Sequence, residues 1–242
     1  MALNILRMQA KAAQVRYEGV ENIHWRLHLP TPMPFAPGQF VMVAFEGVGA
    51  KAFSMASSPA RAAGIDPSLD LLAELSPSAY KARWKEIKDG DLVSIIGPYG
   101  AFTLDEAAPK VGFIAGGVGI TPFKSMMDYI NDRQLPTDAV LLYSNKRPEF
   151  ISYQKELEAA CAANPRLKMV HTITRPQEST MEWQGHTGRI DLPFVEKHVP
   201  DYRERLWYVC AGPAMVAAMC EMLEGAGIEK KRVRREAFTG LH

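Results

Sequence analysis

The sequence has 242 residues, of which 47% are hydrophobic and 23% are charged. This length and balance are typical of a folded protein with one large or two modest domains, and they exclude a disordered or collagen-like chain. Its 28 basic and 27 acidic residues give a formal net charge of +1, so no excess of positive charge indicates a nucleic acid as a partner.

Three further patterns bear on location and metal content. The apolar stretch between Lys110 and Lys124 is short and interrupted by glycine, so no membrane span is expected. Residues 1–11 alternate apolar and polar side chains, unlike a signal peptide. The three cysteines, at positions 161, 210 and 220, lack CxxC spacing, so neither a disulfide framework nor a metal site is predicted. We therefore expect a cytoplasmic protein without a bound metal.

The first part of the chain carries the pattern of β-strands. Apolar and polar side chains alternate over residues 23–29, which is the period of a half-buried strand. Further strands are predicted over residues 39–45, 51–56, 69–75 and 92–96, each closed by glycine or proline. Several short strands at this spacing predict a small antiparallel barrel or sandwich.

After about residue 110 the pattern changes to buried strands that alternate with amphipathic helices. Strands are predicted over residues 111–115, 139–143, 168–173 and 206–210, and Phe123, Met126, Met127 and Ile130 have helical spacing. This alternation predicts βαβ units and a parallel sheet. We place the boundary within residues 103–110 and expect two domains, residues 1–104 and 105–242.

The strongest chemical signal is the turn Gly116-Gly117-Val118-Gly119-Ile120-Thr121-Pro122, which joins a predicted strand to a predicted helix. Glycines let the backbone approach a ligand closely, Pro122 suits a first helical turn, and a helix N-terminus presents free N–H groups to a phosphate. A tight turn without a ligand accounts for one glycine but not for three. The sequence therefore predicts nucleotide binding at this turn.

The end of the second parallel strand bears on coenzyme choice. No acidic residue closes this strand; Ser144, Asn145, Lys146 and Arg147 follow Tyr143 instead. An acid there holds the ribose diol of NADH, whereas an arginine accommodates the 2′-phosphate of NADPH. The pattern favours NADPH slightly, and a solvated basic loop explains it equally well.

Five motifs in register carry a family resemblance that covers nearly the whole chain. They are Pro37-Gly38-Gln39-Phe40, Lys51-Ala52-Phe53-Ser54 with Ser57, Gly97-Pro98-Tyr99-Gly100-Ala101-Phe102, the Gly116 to Pro122 turn, and Tyr208-Val209-Cys210-Ala211-Gly212-Pro213-Ala214-Met215. With them the chain resembles the ferredoxin-NADP reductase superfamily. The resemblance implies a flavin-binding antiparallel Greek-key β-barrel, followed by a Rossmann-like α/β domain that binds NADH or NADPH. It implies FAD as the cofactor.

The resemblance assigns a flavin site to the segment from Lys51 to Ser54. In the family an arginine at the first position meets the flavin pyrophosphate, a tyrosine at the third covers the isoalloxazine, and the serine reaches N5. Here Lys51 lacks the bidentate fork of arginine, and Phe53 keeps the stacking face but has no hydroxyl. These departures leave FMN as a less favoured alternative to FAD.

The remaining site residues follow from the same resemblance. Ser54, Cys210 and Glu236 are expected at the reacting rings, and Phe238 is expected against the flavin. Ser76 or Ser78 is expected at the flavin phosphates, although a plain helix N-cap explains both serines equally well. Arg147 and Arg175, the latter in a Thr174-Arg175 pair, are expected to clamp a 2′-phosphate. The expected cofactor-binding residues are Lys51, Ala52, Phe53, Ser54, Ser57, Ser76, Ser78, Gly116, Gly117, Gly119, Thr121, Pro122, Arg147, Arg175, Cys210, Gly212, Pro213, Met215 and Phe238.

The expected function is hydride transfer from NADH or NADPH to flavin, with electrons passed on to a protein. The basic cluster at residues 230–235 suits an acidic electron carrier such as ferredoxin or flavodoxin, and an oxygenase component is a second possible acceptor. Two alternatives stay open at this point. One is an electron-transfer subunit of a larger dehydrogenase or oxygenase complex. The other is a non-catalytic nucleotide-binding module whose flavin site has decayed, as Lys51 and Phe53 suggest.

Overall fold

The first half of the molecule is a curled antiparallel sheet. The structure is a computed structural model that describes residues 5–239. The strands of this sheet are β1 (Leu6–Glu18), β2 (Asn22–His28), β3 (Phe40–Phe45), β4 (Gly49–Ser54), β5 (Ser68–Glu74) and β6 (Leu92–Tyr99). Two helices, α1 (Pro59–Ala63) and α2 (Ala79–Glu86), lie in the connections that flank β5.

The strand order is β4-β3-β6-β1-β2-β5, and each neighbouring pair is antiparallel. Because β6 lies between β1 and β3, the connections have a Greek-key character. The sheet curls until its edge strands β4 and β5 lie close together. Inside it, Trp25 stacks on Trp84 of α2 with ring centroids 3.6 Å apart. The predicted antiparallel barrel is thereby confirmed.

The second half is a parallel sheet covered by helices on both faces. Its strands are β7 (Lys110–Gly116), β8 (Asp138–Asn145), β9 (Leu167–Ile173), β10 (His186–Thr187), β11 (Leu206–Ala211) and β12 (Val233–Ala237). Its helices are α3 (Thr121–Asp132), α4 (Gln154–Ala163), α5 (Leu192–His198) and α6 (Pro213–Gly225). The order β10-β9-β8-β7-β11-β12, with every pair parallel, confirms the expected Rossmann-like sheet.

The topology creates a crevice beside β7. This strand pairs with β8 on one side and with β11 on the other. The connection that follows β7 therefore leads to one side of it, whereas the later strand β11 lies on the opposite side. Ligands of open α/β sheets bind at such a switch point, outside the carboxyl ends of the strands. Both faces of β7 are buried, because Phe113 belongs to one apolar cluster and Ile114 to another.

The two sheets share an extensive interface. The barrel residues Leu72 and Phe102 join the apolar cluster around Phe123 of α3, and the Ser125 hydroxyl donates a 2.7 Å hydrogen bond to the carbonyl of Ser57. This packing brings the barrel against the carboxyl end of β7. The connection between β6 and β7 contains residue 104, which we keep as the proposed boundary.

The longest helix in the described part of the chain, α6, has 13 residues. Among residues 5–239 no helix combines the length and the apolar character that crossing a bilayer requires.

Candidate functional site

A cavity of about 520 Å³ lies at the carboxyl ends of the parallel strands, and we call it the strand-end cavity. Its lining residues include Gly116 at the end of β7, the following Gly117, Asn145 at the end of β8, and Gly212 and Met215 after β11. It therefore occupies the switch-point crevice. The glycine turn that the sequence singled out forms part of its wall.

A side chain is disfavoured at each of the three glycines of this turn, for a different structural reason. A Cβ on Gly119 would collide with the carbonyl oxygen of Cys210, and one on Gly116 would lie 2.6 Å from Sδ of Met215. Gly117 has a φ of +54°, which disfavours other residues, and a Cβ there would meet no atom within 4 Å. Gly116 and Gly119 thus permit tight packing on β11 and α6, whereas Gly117 presents open backbone to the strand-end cavity.

A second cavity, of about 440 Å³, opens against the barrel, and we call it the barrel cavity. Phe53 and Ser54 of β4 line it, as do Glu236 of β12 and the following Phe238. The Phe53 ring is backed by Trp84, with centroids 4.1 Å apart. Phe53 is 8% exposed and belongs to the apolar cluster inside the barrel, so its share of the wall is small. The half-buried Phe238 ring and the Ser54 hydroxyl suit a flat aromatic group.

The two cavities adjoin each other. Glu74 and Val118 line both of them, and Thr121, at the start of α3, lines the barrel cavity. The turn after β7 therefore separates the cavities with its own side chains. Ligands in the two cavities would therefore be neighbours at the shared residues Glu74 and Val118.

A third cavity, of about 590 Å³, lies at the N-terminus of α2, and we call it the helix cavity. Ser76 and Ser78 line it, and the Ser78 hydroxyl caps the helix by accepting from the N–H of Lys81 at 3.2 Å. Lys81 lines both the helix cavity and the barrel cavity. The free N–H groups of the first turn and a lysine together suit an anion such as a phosphate.

Lys81 is a site residue that sequence reasoning missed. It is 5% exposed, and its Nζ lies 5.2 Å from the centroid of the Phe53 ring. Burial, and secondarily the nearby charge of Lys51, lower the pKa of Lys81 to about 8. An anion bound beside it would favour the charged ammonium. Its position three residues after the capping Ser78 was the available sequence signal.

The predicted site residues divide among the cavities as follows. The barrel cavity receives Lys51, Ala52, Phe53, Ser54, Thr121, Glu236 and Phe238. The strand-end cavity receives Gly116, Gly117, Gly212 and Met215, and the helix cavity receives Ser76 and Ser78. Those that line none of the three are Ser57, Gly119, Pro122, Arg147, Arg175, Cys210 and Pro213.

Several residues in the last group have structural partners. The Ser57 hydroxyl accepts a 3.0 Å hydrogen bond from the N–H of Asp70. Cys210 is fully buried in the core, and burial raises the pKa of its thiol well above the ordinary value. Arg147 pairs with Glu149 at 3.4 Å, and exposed Arg175 pairs with Glu178 at 3.6 Å. Their proposed functional roles stay predictions.

Polar residues outside the set of predicted site residues also line the strand-end cavity, and two of them, Asn145 and Lys146, belong to the segment that the sequence linked to coenzyme choice. Among its described lining residues, Lys146 and Arg189 are the basic ones, and Asn22 and Asn145 are carboxamides. Asn22 belongs to the barrel and pairs with Glu74 in the β2–β5 register. Barrel and parallel sheet thus both contribute polar groups to this cavity, and long-range packing alone brings them together.

Two further observations concern charge and metals. In the basic cluster at residues 230–235, Arg234 contacts Asp105 at 2.8 Å and the Thr103 carbonyl at 2.9 Å, so this arginine ties the interdomain connection to β12. Within residues 5–239, no group of three or more His, Cys, Asp or Glu side chains is arranged to hold a metal ion.

Comparison with known proteins agrees with this geometry. Residues 113–221 match the model of the oxidoreductase NAD-binding domain. The chain is 30% identical over 210 residues to the glycine betaine monooxygenase reductase subunit of Pseudomonas aeruginosa. This alignment covers 84% of this chain and 56% of that protein. It is 29% identical over 224 residues to the reductase component of phenol 2-monooxygenase from a Pseudomonas species, covering 91% of this chain and 62% of that protein.

The chain therefore spans little more than half the length of these curated relatives. Among solved structures, a cytochrome P450 reductase of Amycolatopsis superposes with a TM-score of 0.87 at 22% identity, covering 100% of this chain and 72% of that one. At this identity the superposition shows that the two proteins share a fold.

Proposed function

The chain belongs to the ferredoxin-NADP reductase superfamily, and on that premise we propose that it is a flavin-dependent oxidoreductase. In this proposal NADH or NADPH donates a hydride to a flavin, FAD in the first instance, and the electrons pass to a separate protein. The observation that carries the proposal is the adjacency of the strand-end and barrel cavities across Glu74 and Val118. Hydride transfer needs two rings in contact at a fixed angle and distance.

The barrel cavity suits the flavin ring. Phe238 supplies an apolar face, the buried Phe53 adds a small apolar surface, and Ser54 offers a hydroxyl. Lys81 connects this cavity to the helix cavity, where the first turn of α2 suits the phosphates. A flavin bound here supplies the capacity to accept two electrons from nicotinamide and to release them singly. The residues of this chain position the ring, exclude water and stabilise charge.

The strand-end cavity suits the coenzyme. Gly117 offers backbone without a side chain to the pyrophosphate, and Lys146 and Arg189 supply positive charge along the wall. Glu236 lines the barrel cavity, and burial raises the pKa of its carboxyl. A raised pKa favours a protonated carboxyl that can donate a proton near the ring.

The acceptor in this proposal is an oxygenase component or a small acidic electron carrier such as ferredoxin or flavodoxin. The names of the relatives support the first choice, because two of them are reductase components of monooxygenases. A cytoplasmic location is part of the proposal. It is supported by Cys161, Cys210 and Cys220, which are all unpaired and suit a reducing compartment.

The test begins with purified protein incubated with FAD or FMN and freed of unbound flavin. A bound flavin spectrum that is bleached by NADH or NADPH without oxygen supports the proposal. A protein that retains no flavin, yet still binds coenzyme, overturns it and supports the decayed nucleotide-binding module. Reoxidation by an oxygenase component or by ferredoxin then distinguishes the two kinds of acceptor.

A further inference from the structure

Two buried asparagines line the strand-end cavity, and each has side-chain polar atoms without a hydrogen-bond partner. Asn22 comes from the barrel and is 4% exposed, and Asn145 comes from the end of β8 and is 5% exposed. Oδ1 of Asn22 and both polar atoms of the Asn145 carboxamide make no hydrogen bond. A buried polar group without a hydrogen-bond partner is unfavourable, so these atoms indicate a ligand that supplies the missing hydrogen bonds.

A chain of hydrogen bonds fixes the Asn22 carboxamide. Its Nδ2 donates to Oγ of Ser152 at 2.9 Å, and the Ser152 N–H donates to the Tyr143 hydroxyl at 3.3 Å. That hydroxyl donates in turn to the carbonyl of Gly117 at 3.1 Å. Since Nδ2 is already engaged, Oδ1 is left as a buried acceptor without a partner. The asparagine is thereby coupled to the glycine turn.

Asn145 lies beside the same tyrosine. Burial raises the pKa of Tyr143 above its ordinary value, and the nearby Asn145 carboxamide offsets part of that rise. Neither polar atom of Asn145 reaches hydrogen-bond geometry with the tyrosine. Its carboxamide therefore keeps both a donor and an acceptor for a ligand in the strand-end cavity.

The position of Asn22 indicates which end of a coenzyme it meets. It is paired in the β2–β5 register with Glu74, and Glu74 is one of the two residues shared by the strand-end and barrel cavities. Asn22 thus lies at the end of the strand-end cavity nearest the proposed flavin. The part of a coenzyme that belongs there is the nicotinamide riboside.

We propose that Asn22 and Asn145, one from each domain, bind the nicotinamide riboside end of the coenzyme, with Oδ1 of Asn22 accepting a hydrogen bond from it. This inference rests on the proposed function. Two groups at that end can donate a hydrogen bond to Oδ1 of Asn22. They are the N–H of the nicotinamide carboxamide and the ribose hydroxyls. Because Asn22 belongs to the barrel, the contact forms only when the coenzyme bridges both domains.

The test measures dissociation constants of oxidised coenzymes for the flavin-loaded protein, in which no hydride is transferred. The probes are NAD⁺ or NADP⁺, whichever the parent binds better, the matching 3-acetylpyridine analogue, ADP-ribose and ADP. We expect Asn22→Leu and Asn145→Leu each to weaken coenzyme binding about tenfold and to leave ADP binding unchanged. The matched control is Asn164→Leu, whose carboxamide bonds to Asn131 outside the three cavities.

The analogues separate the two donors. If the Asn22 contact is to the carboxamide, Asn22→Leu weakens only the natural coenzyme, since the acetyl group has no N–H to donate. If the contact is to a ribose hydroxyl, the acetylpyridine analogue and ADP-ribose are weakened as well. A loss that extends equally to ADP marks a general disturbance of the domain and overturns the inference.

Ser152→Ala provides a variant that keeps both asparagines. It removes the hydrogen bond that fixes Asn22, and we expect about threefold weaker coenzyme binding, again without an effect on ADP. Unchanged binding in all these variants overturns the inference while the proposed function stands. A parent protein that binds flavin but no coenzyme overturns both.

Discussion

Nδ1 of His24 lies 3.0 Å from the hydroxyl oxygen of Tyr153, and this contact joins the barrel to the parallel-sheet domain inside the protein. Both side chains are fully buried. Tyr153 has a φ of +59°, and its N–H donates to the Glu18 carboxylate at 2.9 Å. On the far side of the imidazole, Asp70 forms a bidentate pair with Arg26. The interface therefore has a polar centre that fixes the relative position of the two cavities.

Tyr153→Phe should destabilise the protein. The substitution leaves Nδ1 of buried His24 without a partner, and an unsatisfied buried group costs about 1–3 kcal/mol of unfolding free energy. Urea unfolding of the two proteins at pH 7.5 measures the difference. Tyr17→Phe is the control, because Tyr17 is 57% exposed. Equal losses in the two variants would show that the buried contact is not stabilising.

Acidification should destabilise the protein below neutral pH. Burial lowers the pKa of His24 from 6.5 to about 3 and the pKa of His171 from 6.5 to about 4. The unfolded chain takes up these protons near pH 6.5, whereas the folded chain resists them. The stability that these two neutral imidazoles contribute is therefore fully present above pH 6.5. It is lost as the pH falls from there toward about 4 for His171 and about 3 for His24.

His171→Phe isolates one part of this effect, since it keeps a ring against Tyr143 and Trp183 and removes the titrating group. We expect the variant to lose about 1–2 kcal/mol less than the parent between pH 7 and pH 5. Urea unfolding across this pH range provides the measurement. Parallel curves for parent and variant would contradict the prediction.

Gly117→Ala and Gly119→Ala should have different effects. At Gly117 the cost is a φ of +54° in otherwise open space, so we expect a loss of about 1 kcal/mol in stability and clearly weaker coenzyme binding. At Gly119 a methyl group collides with the Cys210 carbonyl, so we expect mainly a loss of stability. Thermal unfolding and coenzyme titration measure both effects. Equal coenzyme affinity in parent and Gly117→Ala would remove this turn from the binding site.

Ser54→Ala should slow flavin reduction more than it weakens flavin binding. Ser54 lines the barrel cavity, and a hydrogen bond to developing charge contributes on the order of 1–3 kcal/mol, or about fivefold to 150-fold in rate. Anaerobic stopped-flow absorbance measures reduction by NADH or NADPH, and flavin titration of the apoprotein measures affinity. Unaltered reduction with weakened flavin binding would assign Ser54 to holding the ring alone.

Arg189→Ala should lower kcat/KM with NADPH more than with NADH, because Arg189 lines the strand-end cavity and an arginine pairs strongly with a phosphate. The sequence pattern favoured Arg147 and Arg175 for this role, and neither lines that cavity. Steady-state kinetics of Arg175→Ala with both coenzymes decides between the two positions. If Arg175→Ala alone changes the NADPH preference, the clamp lies outside the cavity described above.

Prediction from sequence succeeded where one strand carries its own pattern. The strand predicted over residues 111–115 is β7 (Lys110–Gly116), and the one over residues 69–75 is β5 (Ser68–Glu74). By contrast, β1 was not predicted as a strand, because the alternation over residues 1–11 was interpreted only as evidence against a signal peptide. Its second half is also irregular, since Gln14 adopts a φ of +48° and the pairing shifts between Ala13 and Arg16. The edge strand β12 carries arginines and a glutamate, so it lacks an apolar pattern.

The same distinction holds for the site. Phe53 and Ser54 belong to one short motif, and the structure places both at the barrel cavity. Lys81 and Asn22 had no motif of their own. Their positions depend on α2 packing onto Phe53 and on the barrel meeting the end of β8, and such long-range pairings leave no local trace in a single sequence.

The walls of the barrel cavity also emerge from the ribosome at very different times. Phe40, Phe53 and Lys81 belong to the early part of the chain, whereas Glu236 lies in β12, the last strand of the parallel sheet, and Phe238 directly follows that strand. The barrel part of the sequence thus supplies only one side of this cavity, and the other side comes from the far end of the described chain. A ligand in this cavity would therefore be enclosed only once β12 is docked beside β11.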